Sequence, residues 1–161
     1  MKLSELERQR AAALGRIPSG LFILTVRHGE AETGVLVSFV QQCSFEPPQI
    51  SFAMKPDRPV VSWLTPGSVF TLNILDDSQS DMVGHFGRGF ALDEPAFTEL
   101  DVERSANGCT VLSEALAYLE GEIVGRHPAG DHDLFLARVV GGNLMSEGQP
   151  MVHVRKSGLH Y

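Results

Sequence analysis

Three features of this chain have the residue types to do chemistry together: cations that close a strand, a polar run inside an apolar one, and a histidine at the start of a third. Lys55 and Arg58 follow directly on the apolar run 49–54. At a strand mouth an arginine can grip a phosphate with its planar fork and a lysine can meet it as a point charge. Residues 34–48 begin apolar and β-branched, turn polar at Gln41, Gln42, Cys43 and Ser44 without a glycine to break the run, and end in Pro47 and Pro48. Those polar groups suit the heteroatoms of a flat ligand. His132 follows Gly130 and Asp131 just past a proline-glycine turn, where an imidazole at a sheet rim can donate a hydrogen bond or carry a proton. Together they read as a berth for a planar ligand with a phosphate tail. The plainer alternative for Lys55 and Arg58 is a solvated strand end with Asp57 paired locally.

Holding such groups in place falls mostly to strands. Residues 3–14 read as a short amphipathic helix with Leu3, Leu6, Arg10 and Ala13 or Leu14 on one side, stopped near Gly15 and Pro18. Residues 20–27 form an apolar strand, which 28–32 turn back into a second over 33–40. The two prolines then end pairing, because proline has no amide hydrogen for a ladder. A strand over 49–54 follows, then a helical turn over 58–64 closed at Pro66 and Gly67. Residues 68–75 are a strand and 78–86 a helix with Ser78 as N-cap. The stretch 87–107 lacks a period and reads as loop. Two long strands, 115–127 and 131–144, flank the turn at Pro128 to Gly130, and 149–155 completes the sheet. Long strands joined by short turns predict an antiparallel sheet closed into a barrel, which also removes exposed edges.

Composition narrows the classes. With 161 residues, 43% of them hydrophobic, the chain suits one globular domain, 1–161. Its net charge of −7 is pooled in residues 76–104, where eight acids face Arg88 and Arg104. No basic stripe is present to neutralise phosphates, so no nucleic-acid partner is expected. No apolar run approaches a membrane span and the first residues lack a signal peptide's apolar stretch, so a cytoplasmic protein is expected. Cys43 and Cys109 form no metal or redox motif. They read as reduced thiols, Cys43 as a small packing residue. The histidines show no metal-ligand spacing, and no Walker loop, nucleophile elbow or dinucleotide fingerprint occurs.

Several segments, taken in chain order, resemble the flavin reductase-like family. Gly34 to Pro48 fits that family's frame of glycine, strand, hydroxyl-rich stretch and paired prolines. Phe70 to Leu75 looks like its Phe-strand-Asn segment, His85 to Phe90 like its Phe-x-x-x-Phe loop, and Gly130-Asp131-His132 like its Gly-Asp-His signature. Ser105 to Leu112 and the end Arg155 to Tyr161 are closest in wording to the C-terminal flavin reductase domain of cyanobacterial diflavin flavoproteins. The resemblance runs from about Gly15 onward. It implies a mainly β, antiparallel Greek-key split β-barrel with a few short peripheral helices, acting as a homodimer. It further implies FMN, with FAD possible, NADH or NADPH as reductant, and a flavin-accepting or electron-accepting partner protein.

By the same resemblance, the backbone of Val37, Ser38, Phe39, Val40, Gln41 and Gln42, with Cys43, Ser44 and Ala53, borders the flavin ring, and Lys55 and Arg58 anchor its phosphate. Phe86 walls the ring and Arg88 meets the incoming dinucleotide, unless Phe86 and Phe90 simply anchor their loop. His132 is the catalytic candidate, and Tyr161 is placed to reach a neighbouring site. Gln41 and Gln42 depart from the serine or threonine of many relatives. The implied activity is NAD(P)H-dependent flavin reduction; the alternative is a non-enzymatic FMN-binding electron-transfer module reduced by a protein donor. A relative of the pyridoxamine-phosphate oxidases is disfavoured by Gly130-Asp131-His132.

Overall fold

The computed structural model describes residues 2–161. Helix α1 spans Glu5–Gly15 and starts at a capping box, in which the Ser4 hydroxyl accepts from the Glu7 amide and the Glu7 carboxylate accepts from the Ser4 amide. The strands follow as β1 Ser19–Gly20, β2 Phe22–His28, β3 Ala31–Val37, β4 Val40–Phe45 and β5 Pro48–Met54. After a 3-10 turn at Pro59–Trp63 come β6 Val69–Ile74, helix α2 Ser80–Gly87, β7 Val102–Arg104 and β8 Thr110–Leu112. The long pair β9 Ala117–Ala129 and β10 His132–Leu144 precedes a short β11, Val152–His153.

Seven of these strands form one antiparallel sheet in the order β3-β2-β6-β9-β10-β5-β4. Its two outermost strands, β3 and β4, are neighbours in the chain, separated by Ser38 and Phe39. Laid flat, the ends of a seven-stranded sheet lie about 29 Å apart. The chain from Val37 to Val40 reaches about 11 Å at most. The sheet must therefore roll until its edges meet, and the closure is made by the chain itself. The connection through residues 55–68 carries β6 back beside β2, which gives the roll a Greek-key order.

Inside the roll, the Phe52 ring stacks on Phe135 with centroids 5.1 Å apart and meets the edge of Phe70 at 5.4 Å. Val35, Val37, Ile50, Leu72 and Ile123 fill the space around them. A second apolar cluster lies outside, where α2 and the following loop place Phe86 and Phe90 against Ile23, Leu75 and Leu112. Gly34 is what lets Phe86 approach, since a Cβ there would stand 2.7 Å from its ring. The polar outer side of β6 is covered by the β7–β8 hairpin. Asn73 donates to the Ile23 carbonyl at 3.1 Å and accepts from the Leu112 amide at 2.9 Å. The Asn107 side chain donates to the Phe70 carbonyl at 2.8 Å and accepts from the Cys109 amide at 3.0 Å. Each such pairing satisfies a polar group that burial would otherwise penalise.

Several expectations need correction. The expected strand 33–40 breaks at Ser38, and the polar run beyond it is a strand in its own right. The prolines do not end pairing: Glu46 and Pro47 turn β4 into β5, and Pro48 stands opposite Phe45. A first strand residue can be proline, because its missing amide is not needed there. Ser78 does not cap α2; its amide and hydroxyl bond the Asp76 carboxylate, and the helix begins two residues later. Helix α1 turns Ala11 and Gly15 inward and leaves Leu6 78% exposed, so the anticipated leucine face is not the buried one. Residues 149–155 do not join the sheet; β11 pairs with β1 in a separate two-stranded ladder. Residues 87–107 contain β7 besides loop, and β8 carried no strand signal of its own.

Gly121 on β9 faces the fully buried Phe70 ring, and a Cβ there would lie 2.2 Å from it. Gly121→Ala is expected to overpack the roll and lower stability by about 1–3 kcal/mol, read as a shifted urea midpoint. An unchanged midpoint would show that the Phe70 ring can give way.

Candidate functional site

Side chains two apart on a strand share a face, and that period assembles the site. Ala53 on β5 stands opposite Leu134 on β10. Both point outward, away from the buried Phe52 and Phe135. Two residues further along each strand on this side come Lys55 and His132. Gly130, at φ +68°, makes the tight turn that brings β9 into β10 and leaves Asp131 in the turn and His132 as the first paired residue. Phe39, in the kink, is fixed to the same region because its carbonyl accepts from the Ala53 amide at 2.9 Å.

Phe39, Ala53, Lys55 and His132 line a cavity of about 320 Å³, together with Ala129, Asp131 and Arg155, and Tyr161 closes one side. The His132 ring is held at both nitrogens: Nδ1 lies 2.7 Å from the Asp131 carboxylate and Nε2 lies 2.5 Å from the Tyr161 hydroxyl. The hydrogen bond from His132 holds the Asp131 carboxyl below its usual range. Burial pushes the Tyr161 phenol up, against the opposing charges of Arg58 and Arg155. The Arg155 guanidinium lies over the Phe39 ring, 4.9 Å from its centroid. Across Phe39, Ala53, Arg155 and Gly158 the cavity adjoins a second of about 410 Å³, which adds Leu14, Ile17, Ser38 and Gln41. Small floor residues, an aromatic at the divide and cations at the rim suit a flat polar ring with an anionic tail.

Of the residues singled out in the sequence, Phe39, Ala53, Lys55 and His132 meet in the first cavity, and Ser38, Val40 and Gln41 reach the second. Val37 turns its side chain into the core, and the Val40 amide is taken by the Ser38 carbonyl at 3.0 Å. Gln42, Cys43 and Ser44 lie further along β4. Cys43 sits at a register shift and is exposed, so it is not a packing residue. Arg58 is half-buried in a separate hollow with Thr33, Gly34 and Phe90, although its charge still acts on Tyr161. Phe86 is fully buried behind Gly34 and offers no ring wall. Arg88 lies over the Phe90 ring at 4.0 Å and pairs with Glu94 at 3.7 Å, which anchors this loop to the core. Sequence reasoning passed over Arg155 and Asp131 as site residues. Their signal was present, in the closing motif from Arg155 to Tyr161 and in the Gly130-Asp131-His132 triplet.

A family model described as "Flavin reductase like domain" matches residues 14–158. Among curated proteins, diflavin flavoprotein A 1 of Synechocystis sp. is 35% identical over 99% of this chain. The putative diflavin flavoprotein A 5 of Nostoc sp. is 36% identical over 92% of it. The chain spans 28% and 26% of those two proteins' own length. Among solved structures, the NADH:FAD oxidoreductase SgcE6 of Streptomyces globisporus superposes with a TM-score of 0.84 at 22% identity, covering 96% of this chain and 92% of that one. SgcE6 is also solved in complex with NAD and FAD fragments. The styrene monooxygenase flavin reductase of Pseudomonas putida S12 gives a TM-score of 0.75 at 27% identity, covering 89% and 90%.

The two thiols are expected to part company chemically. Cys43 is exposed, whereas burial raises the Cys109 thiol above its ordinary value and shields it. A thiol reagent at neutral pH should modify Cys43 alone in the native protein, and both cysteines in denaturant. Fast native modification of Cys109 would contradict the packing around the β7–β8 hairpin.

Proposed function

The chain belongs to the flavin reductase-like domain family, and on that footing we propose that it is an NAD(P)H-dependent flavin reductase, with FMN or FAD taken into the Phe39 cavity. One observation carries this reading: Ala53, Lys55 and His132 come from two strands onto one outer face, and Phe39 from the kink joins them there. The residues present fit the group. Ala53 leaves room above the sheet for a flat ring, Phe39 offers an aromatic edge, and Lys55 and Arg155 offer charge to a phosphate. Bound flavin would supply the ring that accepts hydride from nicotinamide. The protein's own groups bind and orient. Lys55 and Arg155 would hold the anionic tail, the cavity walls would shed water, and His132 would present its imidazole at the cavity edge.

The reading includes a homodimer, supported by an apolar rim at the adjoining cavity. Leu14, Ile17 and Leu134 stay exposed there, where a second copy would cover them. Two unpaired cysteines suit a reducing, cytoplasmic setting. A second reading, an electron-transfer module fed by a protein donor, is favoured by the diflavin relatives and by the exposed acids Asp77, Asp81, Asp93 and Glu94. Such docking weakens steeply with salt, whereas nicotinamide oxidation needs no protein donor.

Lys55→Ala with Arg155→Ala is expected to weaken flavin binding by about tenfold or more, since charge-assisted hydrogen bonds contribute roughly 1.5–3 kcal/mol. His132→Ala should instead slow NADH or NADPH oxidation while flavin still binds. Flavin fluorescence titration and steady-state oxidation, each with FMN and FAD, separate the two effects. A chain that binds neither flavin, and adds nothing to the free-flavin rate, is not a flavin reductase.

A further inference from the structure

The segment 155–161 contributes more to the cavity than a cover. Arg155 lies over Phe39, and the Tyr161 ring stands 5.7 Å from Phe39 and 5.9 Å from His132. Its hydroxyl is within hydrogen-bond distance of His132 Nε2, while Asp131 engages Nδ1. An ionised Asp131 only accepts, so it selects the imidazole tautomer that carries its hydrogen on Nδ1. Nε2 is then a lone pair, and the Tyr161 hydroxyl donates to it. The tyrosine is protonated at neutral pH as phenols ordinarily are, and partial burial only raises it further.

We infer that Tyr161 is a positioning residue for His132: its hydroxyl and the Asp131 carboxylate clamp the two ring nitrogens, fixing the tautomer and the direction of the imidazole at the edge of the Phe39 cavity. The clamp joins two separate parts of the chain, the end of the β9–β10 turn with the first residue of β10, and the segment 155–161. The charges around it come from several elements. Lys55 just past β5 acts on Asp131, Arg58 and Arg155 act on Tyr161, and His160 lines the same cavity. The part of the inference that concerns turnover rests on the flavin reductase reading; the clamp itself does not.

Tyr161→Phe keeps the ring against Phe39 and removes the hydroxyl alone, and Tyr161 is exposed enough for the variant to fold. In ligand-free protein labelled with 15N-histidine, the His132 Nε2 resonance is expected to move toward that of a free, unbonded imidazole nitrogen. Asp131→Asn should mix the two tautomers. An unchanged Nε2 resonance in Tyr161→Phe would overturn the clamp. In the turnover assay, Tyr161→Phe should lower kcat by about fivefold, the equivalent of one hydrogen bond, with the flavin dissociation constant kept within about twofold. A fall in flavin affinity that matches the fall in kcat would mean that Tyr161 packs the cavity rather than positions His132. The imidazole readout needs no flavin, so a wild-type chain that fails to oxidise NADH or NADPH would sink the enzymatic reading and leave the clamp standing.

Discussion

The two residues between β3 and β4 are the constraint on which the rest of the molecule depends. Two strands at opposite ends of a seven-stranded sheet cannot be joined by Ser38 and Phe39 unless that sheet rolls up. Rolling gathers Phe52, Phe70 and Phe135 into one dry interior, and burial of aromatic rings is among the largest gains available to a small domain. It also leaves an irregularity at the seam. There the backbone departs from ladder geometry, the Phe39 side chain stands outside the core, and the Ala53 amide is drawn to the Phe39 carbonyl rather than to a strand partner. The cavity lies at this seam because a regular sheet would leave no such gap.

Much of this was legible from the residues, and the limits of legibility have physical causes. Apolar runs and turn chemistry located β2, β3, β5, β6, β9 and β10, since each contributes side chains to the interior of the roll. The polar run 41–44 hid a strand because β4 is an edge with Gln41, Gln42 and Cys43 exposed, so it carries no alternating apolar face to detect. The N-cap of α2 was misplaced because a serine before a helix can serve a nearby carboxylate as readily as a helix amide, and Ser78 serves Asp76. The short β7–β8 pair depends on partners far along the chain. Its anchor runs through Asn73 and Asn107, which no local period announces.

The motif-like segments sort into two kinds once contacts are known. Gly34 with Phe86, and Asn73 with Leu112, recur as words because they solve packing and polar-satisfaction problems between distant elements. Phe39, Ala53, Lys55 and His132 share an open cavity and belong to neither apolar cluster. A single sequence presents both kinds alike. The difference lies in whether a side chain faces another element or faces space, and that is a property of the roll. Phe86 and Phe39 illustrate it: both are phenylalanines in family-like segments, one sealed behind a glycine and the other set at the divide between two cavities.

Charge shows the same separation of whole-chain and local properties. The protein as a whole is acidic, with its excess in residues 76–104. Around the Phe39 cavity the sign reverses, because Lys55 and Arg155 line it and the charge of Arg58 acts on Tyr161. A concave region of one sign on a surface of the other concentrates ions of the opposite charge, so an anionic ligand is drawn to this seam and repelled elsewhere. Among the described residues Asp131 is the one acidic side chain lining that cavity, and its bond to His132 Nδ1 ties its charge to the imidazole. The acid that would otherwise oppose an anionic ligand is thereby turned to orienting the histidine, so the same few residues set the local charge and fix the imidazole at the cavity edge.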